Sequence, residues 1–190
     1  MSLLPGFRGD LAWLHERESH NGRPYWPGGQ SGVTLDPGLD LHHADWSLVE
    51  RVLSPHLTPG RMRALKWARS FQGPEAKAAA KSLADIRISR ELAAQLLPQV
   101  ADPYWRALVK RFPGLLEAPP AVQTALLSLA YNRGAGNRAL AVLRPWIAAG
   151  DWAEVGREIR RMQQDHKLTN IRERRRLEGN LILAAMGEKA

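Results

Sequence analysis

The feature that most constrains the fold is a run of glycine and proline residues between positions 21 and 44. Glycine loosens the backbone and proline removes a hydrogen-bond donor, so this segment cannot form a long helix or a long strand. We predict two short strands, at Tyr25–Trp26 and at residues 33–35, around a turn at Pro27–Gly29. The interrupting residues are Gly22, Pro24, Pro27, Gly28, Gly29, Gly32, Pro37 and Gly38.

The segment before this run, DLAWLHERE at residues 10–18, has helical spacing. Leu11, Leu14 and Glu18 fall on one face of the predicted helix, whereas Glu16 points elsewhere. The spacing therefore predicts that Glu18 lies at the carboxyl end of the helix, beside its buried stripe. A carboxyl in such a position keeps its proton more readily than one in water does.

Polar groups that could work with Glu18 follow on the turns of the Gly/Pro-rich segment. They are Thr34, Asp36 and Asp40. A carboxyl on a helix that faces a turn with further carboxylates is typical of acid–base hydrolysis in a cleft. The residues alone do not decide between Asp36 and Asp40 as the second carboxylate.

From residue 45 onward the pattern is helical. The segment at 119–132 starts with proline and is apolar on all sides, which predicts a central buried helix that ends at the glycines after Arg133. Pro98 and Pro103 are expected to kink or divide the helix that begins at Ser89. The other predicted helices cover residues 45–53, 59–70, 74–84, 138–148, 151–165 and about 170–186.

The charge balance is strongly basic, with a formal net charge of +8 and a pI of about 10.4. Such a chain is attracted to polyanions, including nucleic acid, anionic lipid, lipopolysaccharide and cell-wall polymers. The last helix carries Arg172 and Arg174–Arg176, with Leu177, Leu181 and Ala184 as its predicted apolar stripe. The arginine run fits a solvated face, polyanion attraction, or an arginine paired to a buried carboxylate.

A length of 190 residues fits one domain. The chain has no cysteine, so it forms no disulfides, and we recognise neither an apolar run of membrane-spanning length nor a signal peptide at its start. His42 and His43 are adjacent and would face opposite ways on an extended segment. We expect no metal site and no cofactor.

Three segments together resemble the phage-type lysozymes, the glycoside hydrolase family 24-like muramidases that include phage endolysins. In the first, Tyr25 follows Glu18 by seven positions and Thr34 follows it by 16. Asp40 lies six residues after Thr34, which resembles the pesticin-like arrangement of the catalytic residues. The commoner lysozyme aspartate is replaced here by the sequence Trp26-Pro27-Gly28, and Asp36 is an additional carboxylate.

The second segment is ALLSLAYNRGAGN at residues 125–137, which resembles the buried helix and glycine loop of that family. The third is RRRLEGNLIL at 174–183, which resembles the arginine-rich closing helix of many endolysins. The segment ISRELAAQLL at 88–97 resembles the helix between the two lobes.

The resemblance implies an α+β, mostly α, lysozyme-like fold with a small β-hairpin lobe and a larger helical lobe. The expected organisation is a single catalytic domain over residues 1–190. It would contain a small β/turn region at about 20–44, an added helical region at about 45–87 and a helical lobe at about 88–190.

The resemblance also implies hydrolysis of the β-1,4 bond between N-acetylmuramic acid and N-acetylglucosamine in peptidoglycan. Glu18 would be the general acid, Asp40 the ionised carboxylate and Thr34 the residue that holds the attacking water, with inversion at the anomeric carbon. An arginine of the last helix (Arg172, Arg174 or Arg175) would orient Glu18. The expected substrate-binding residues are Tyr25, Trp26, Gln30, Asn132 and Arg133.

Peptidoglycan is therefore the expected partner of a monomeric protein, and anionic outer-membrane or cell-wall polymers are possible further partners. No specific nucleic acid is expected. We expect synthesis in a host bacterial cytoplasm and action on the wall after release, as in a phage endolysin. Three alternatives stay open: a secreted antibacterial effector with the same chemistry, a non-catalytic basic module that binds polyanions, and a lytic transglycosylase that uses a single glutamate.

Overall fold

The structure is a computed structural model, and it describes residues 2–188 of the 190. Its helices are α1 (Leu11–Glu16), α2 (Trp46–Leu53), α3 (Pro59–Ala68), α4 (Gly73–Ser82), α5 (Arg90–Arg111), α6 (Pro120–Arg133), α7 (Arg144–Ala149), α8 (Trp152–Arg161) and α9 (Thr169–Ala185). Two short strands, β1 (Thr34–Leu35) and β2 (Leu39–Asp40), follow α1. Short 3-10 helices cover Pro113–Leu116 and Arg138–Leu143. No helix within the described residues is long and apolar enough to cross a membrane.

The chain divides into two compact units. One, the hairpin unit, comprises His15–Val100. The other, the helical unit, comprises the residues up to Leu14 and those from Ala101 onward. In the hairpin unit, the apolar side chains of the strands and of α2, α3 and α4 are buried in a common core, which includes Leu35, Val49 and Leu65.

The two strands form an antiparallel pair, in which Thr34 lies opposite Asp40 and Leu35 opposite Leu39. An isolated antiparallel bridge joins Tyr25 to Thr34. The predicted strands at 25–26 and 33–35 therefore do pair, but only through this bridge. The longer hydrogen-bonded pairing is made instead by residues 39–40, which the glycines and prolines had marked only as a turn.

The first helix ends at Glu16, two residues before its predicted end. The backbone N–H of Glu18 still donates to the carbonyl of His15, at 3.1 Å, but Glu18 itself lies on the bend after the helix. The guanidinium of Arg90 donates to the carbonyls of His15 and Glu16, at 3.4 and 3.3 Å, and so satisfies the open end of α1. The prediction that Glu18 shares a helical face with Leu14 is therefore wrong.

Helix α5 runs without interruption through Pro98 and Pro103, so these prolines do not divide it; whether they kink it stays a prediction. A proline within a helix forfeits one backbone hydrogen bond. Leu97, Ala101 and Trp105 are all fully or almost fully buried along this stretch. The burial of these side chains offsets the lost hydrogen bonds. The positions of prolines along the sequence do not reveal this compensation.

The central buried helix is confirmed. Every residue of α6 from Val122 to Ala130 is buried, including the polar side chains of Gln123, Thr124 and Ser128. Gln123 holds the chain before α1, because its Oε1 accepts from the backbone N–H of Arg8 at 2.6 Å. The helix ends at Gly134, which has a positive φ of 83°.

Helices α8 and α9 approach each other at two glycines of the helical unit. A Cβ on Gly179 would lie 2.5 Å from the carbonyl oxygen of Gly156 and would also collide with the side chain of Arg160. This approach turns Gly179 inward, and Leu177 remains 40% exposed. The predicted stripe of Leu177, Leu181 and Ala184 is therefore wrong: the buried residues of α9 are Arg175, Glu178, Gly179, Ile182 and Leu183.

Candidate functional site

Three of the residues singled out in the sequence meet at the hairpin. Thr34 and Asp40 are cross-strand partners, and paired positions of this kind place their Cβ atoms roughly 5 Å apart on one face of the sheet. On its other side Thr34 exchanges two backbone hydrogen bonds with Tyr25, at 2.8 and 2.9 Å. We call Tyr25, Thr34 and Asp40 the hairpin site; Glu18 lies on the bend after α1.

Backbone amides fix the orientation of the Asp40 carboxylate. Its Oδ2 accepts from the N–H of Gly32 and its Oδ1 from the N–H of His42, both at 2.9 Å. The hydroxyl of Thr34 donates to the carbonyl of the same Gly32, at 3.3 Å. A Cβ on Gly32 would collide with the Asp40 carboxylate, so glycine is required where this carboxylate meets the backbone.

Asp36 has a different environment. It is only 1% exposed, and its Oδ2 accepts from the backbone N–H groups of Asn21 and Gly22, at 2.8 and 2.7 Å. Its Oδ1 accepts from the side-chain amide of Asn21 at 3.1 Å, and the His20 Nδ1 lies 3.2 Å from Oδ2. Asp36 therefore anchors the loop that follows Glu18, a role that the sequence analysis did not predict.

Two perturbed pKa values place further groups near Glu18. Burial of the Tyr25 hydroxyl raises the pKa of Tyr25 to about 12, and the negative charges of Asp36 and Glu18 raise it further. Burial also lowers the pKa of His15, with the positive charge of Arg90 as the second cause. Tyr25 thus stays a neutral hydrogen-bond donor, and His15 is the uncharged imidazole at neutral pH.

The predicted groove residues Trp26 and Gln30 flank the hairpin. Trp26 is partly buried against the core of the hairpin unit, and the ammonium of Lys77 lies 5.5 Å from its ring centroid. Trp26 thus contributes to the core as well as lying next to the hairpin. Gln30 is exposed, and its side-chain oxygen lies near Gly73.

The other two predicted substrate-binding residues, Asn132 and Arg133, belong to the helical unit. Both lie in the last turn of α6, and Asn132 is exposed. Asn132 does not cap the helix, because the cap position is Gly134. Its Oδ1 accepts a hydrogen bond from Nη2 of Arg175 at 3.3 Å, which orients the amide.

The arginine run of α9 matches the third interpretation that the sequence left open. Arg175 is fully buried and donates to the buried carboxylate of Glu178 at 3.0 Å. Arg174 lies 3.4 Å from the same carboxylate, and the Ser128 hydroxyl donates to it at 2.6 Å. Arg172 binds its own helix start, through the carbonyl of His166 and the hydroxyl of Thr169. The spacing of three residues between Arg175 and Glu178 is the signal that could have shown this pair.

The adjacent histidines do not face opposite ways as predicted, because residues 41–43 form a turn and the two ring centroids lie 4.8 Å apart. The Nδ1 of His42 lies 2.8 Å from the carbonyl oxygen of Arg69, and its ring stands edge-on to that of His43. Within residues 2–188 there is no group of three or more histidine, cysteine, aspartate or glutamate residues that could hold a metal ion.

The fold is similar to that of a solved protein, the active form of the P1 phage endolysin Lyz, with a TM-score of 0.56 and 17% sequence identity. The similarity covers 95% of this chain and 86% of that one. No family model matches the chain, and no curated protein matches its sequence. At this identity the similarity concerns the fold, and the predicted fold class is confirmed: the chain has a mostly helical, lysozyme-like α+β fold with a small antiparallel hairpin.

Proposed function

We propose that the protein is a peptidoglycan hydrolase, specifically a muramidase that cleaves the β-1,4 bond between N-acetylmuramic acid and N-acetylglucosamine. The observation that carries this proposal is the cross-strand pairing of Thr34 with Asp40, with Tyr25 bridged to the same threonine. The fold shared with a phage endolysin supports the same conclusion.

In the proposed mechanism, Glu18 gives its proton to the oxygen of the leaving sugar. Asp40, whose two oxygens are oriented by the amides of Gly32 and His42, activates a water molecule or stabilises positive charge at the anomeric carbon. The oxygen of Thr34 accepts a hydrogen bond from that water, while its own O–H continues to donate to the carbonyl of Gly32. We assign the second carboxylate to Asp40, since Asp36 is buried and engaged by the loop after Glu18.

Direct attack by water would invert the anomeric configuration. It needs the two carboxyl groups about 6.5–9.5 Å apart, whereas about 5–5.5 Å would favour a covalent intermediate and retention. Proton NMR of the first-formed sugar anomer distinguishes the two, and retention would contradict the water-holding role of Thr34.

Substrate binding is proposed for Tyr25, Trp26 and Gln30 in the hairpin unit and for Asn132 and Arg133 in the helical unit. We also propose that residues 1–190 form a single catalytic domain, with residues 45–87 as an added helical region. We further propose that the protein is a monomer that acts on the bacterial wall as an endolysin does. A secreted antibacterial effector would use the same chemistry.

The test is digestion of purified peptidoglycan by the wild type and by Glu18→Gln, followed by mass spectrometry of the released sugars. We expect the wild type to leave reducing N-acetylmuramic acid ends and Glu18→Gln to lose activity by about 10²–10⁴-fold. Glu16→Gln is the matched control, because the Glu16 side chain is 72% exposed and has the same charge. An anhydro sugar product would identify a lytic transglycosylase instead.

Lysis of permeabilised Gram-negative cells separates catalysis from polyanion binding. If Glu18→Gln clears such cells as well as the wild type does, a non-catalytic basic module is the better description of the protein.

A further inference from the structure

A cavity of about 400 Å³ in the helical unit is lined almost entirely by arginine. Its lining residues are Arg157, Arg160, Arg161, Gln164 and Arg176. They come from α8, from the turn that follows it and from the exposed face of α9. This cavity, which we call the arginine pocket, has no part in the proposed hydrolysis.

Two of the four arginines are neutralised by acidic neighbours. Arg157 donates to Glu154 at 2.7 Å and also binds both carboxylate oxygens of Glu188. Arg161 donates to Glu158 at 2.6 Å and to Glu154 at 3.1 Å. These ion pairs form one wall of the pocket and hold its shape, and the three glutamates exceed the two arginines by one negative charge.

The other two arginines have no such neighbours. Neither Arg160 nor Arg176 has a hydrogen-bond or ion-pair partner within residues 2–188, although both line the same cavity. Two guanidinium groups that share a small cavity repel each other unless an anion lies between them. The two unpaired guanidinium groups therefore carry a charge of +2, and the four arginines with their three glutamates carry a net charge of +1.

The backbone at Gly179 sets the position of Arg160. The Cγ of Arg160 occupies the space that a Cβ on Gly179 would fill. The aliphatic stem of Arg160 therefore lies across α9 one turn away from Arg176, since residues 176 and 179 share a helix face. The close approach of α8 and α9 thus fixes the stem of one of the two unpaired guanidinium groups before any ligand binds.

We infer that the arginine pocket is a binding site for a phosphomonoester carried by a sugar or a lipid headgroup. A phosphomonoester carries a charge of about −1.5 to −2 at neutral pH and three strong acceptor oxygens, so it can accept hydrogen bonds from both unpaired guanidinium groups at once. Guanidinium forks bind phosphate oxygens in pairs of hydrogen bonds. The volume of about 400 Å³ also accommodates more than the phosphate itself and lies in the range of small-molecule sites.

The first test is calorimetric titration with glucose 6-phosphate, with glucose as the uncharged control, at pH 7.5 in a low-salt buffer without phosphate. We expect saturable one-to-one binding of glucose 6-phosphate and none of glucose. Arg160→Gln and Arg176→Gln should each weaken the binding by about tenfold or more. Arg51→Gln, which removes the same charge from an exposed position on α2, should change it by less than about twofold.

Arg176 is exposed, so the Arg176→Gln variant keeps the test valid if Arg160→Gln disturbs the α8–α9 packing. Arg176→Lys should bind more tightly than Arg176→Gln but less tightly than the wild type. Lysine keeps the positive charge but lacks the paired N–H donors of the guanidinium group. Absence of saturable binding would overturn the inference. An equal loss in all three glutamine variants would overturn it as well, since it would show attraction to the net charge of the protein.

A second test separates a soluble ligand from a lipid-borne one. Phosphatidylcholine vesicles that contain phosphatidic acid, a phosphomonoester, are compared with vesicles that contain the same fraction of phosphatidylglycerol, a phosphodiester. Preference for phosphatidic acid that Arg176→Gln abolishes supports a lipid source, whereas glucose 6-phosphate binding without such a preference supports a soluble one. Tighter binding of a short DNA duplex with equal loss in all variants would instead identify general nucleic-acid attraction and overturn the inference.

Discussion

Thr34 and Asp40 lie directly opposite each other in the antiparallel hairpin, and both of their side chains bind the backbone of Gly32. The hydroxyl of Thr34 donates to the carbonyl of Gly32, and the carboxylate of Asp40 accepts from its N–H. One glycine residue thus aligns the two groups that we propose to hold and activate water.

The hydroxyl of Thr34 should matter more than its methyl group. We expect Thr34→Ala to lower kcat by about 10²-fold or more with little change in KM, because the hydroxyl would act only on the attacking water. Thr34→Ser keeps the hydroxyl and should retain most of the activity. Steady-state kinetics on soluble peptidoglycan fragments measure both. Equal activity of the alanine and serine variants would exclude this role for the hydroxyl.

Gly32→Ala should damage the site more than the fold. The added methyl group would collide with the Asp40 carboxylate and lie 2.9 Å from the Cβ of His42, so the carboxylate must turn away. We expect a loss of activity of about tenfold to 10²-fold, with a destabilisation of about 1–3 kcal/mol. Gly60→Ala is the matched control, because a Cβ there meets no heavy atom closer than 4.0 Å. An unchanged rate for Gly32→Ala would show that the orientation of Asp40 is unimportant.

Asp36 should be a stability residue whose loss also disturbs the loop after Glu18. Asp36→Ala removes the buried carboxylate that accepts from the N–H groups of Asn21 and Gly22, so we expect a loss of about 1–3 kcal/mol in the free energy of unfolding. Urea denaturation measures this loss. Asp85→Ala, whose side chain is 69% exposed, should cost less than about 1 kcal/mol.

Hydrogen exchange locates the effect of the Asp36 substitution. The amides of Asn21 and Gly22 should lose protection in Asp36→Ala, while amides in α3 should keep theirs. Uniform loss of protection throughout the hairpin unit would contradict a local anchoring role.

The buried carboxyl of Glu178 predicts a specific dependence of stability on pH. Burial raises the pKa of Glu178 in the folded protein above the value of 4.5 for an unperturbed glutamate, although the charge of Arg175 opposes the shift. The unfolded chain therefore releases this proton at a lower pH than the folded protein does. The stability that Glu178 contributes is fully present below about pH 4.5 and is lost as the pH rises through its folded pKa.

The measurement is the difference in unfolding free energy between the wild type and Glu178→Gln across pH 4–8. We expect this difference to favour the wild type most at acidic pH and to shrink as the pH rises. Glu117→Gln, at an exposed position, controls for the change in net charge. A difference that grows with pH would mean that Arg175 lowers the pKa of the Glu178 carboxyl more than burial raises it.

Several structural features followed from local patterns in the chain. The glycines and prolines predicted a small hairpin region, and the uniformly apolar segment predicted the central helix α6. Both depend on interactions between near neighbours or on the simple exclusion of water. The candidate residues Tyr25, Thr34 and Asp40 were also chosen from the sequence alone, and they adjoin one another in the hairpin.

Other features depended on contacts between distant residues. Helical phase placed Glu18 inside α1, but Arg90, far along the chain, closes that helix at Glu16. The predicted apolar stripe of α9 failed because Gly156 on another helix draws Gly179 inward.

The sequence by itself determined which local elements the chain contains: a short hairpin region rich in turns, a set of basic helices and a group of carboxylates around residues 18–40. Local propensity and charge are properties of neighbouring residues, and the chain displays them directly. Only the tertiary structure decided the role of each acidic residue: Asp36 accepts from the loop at residues 21–22, Asp40 from Gly32 and Glu178 from Ser128 of another helix. Hydrogen-bond partners and burial arise from contacts across the fold, and a one-dimensional pattern does not contain them.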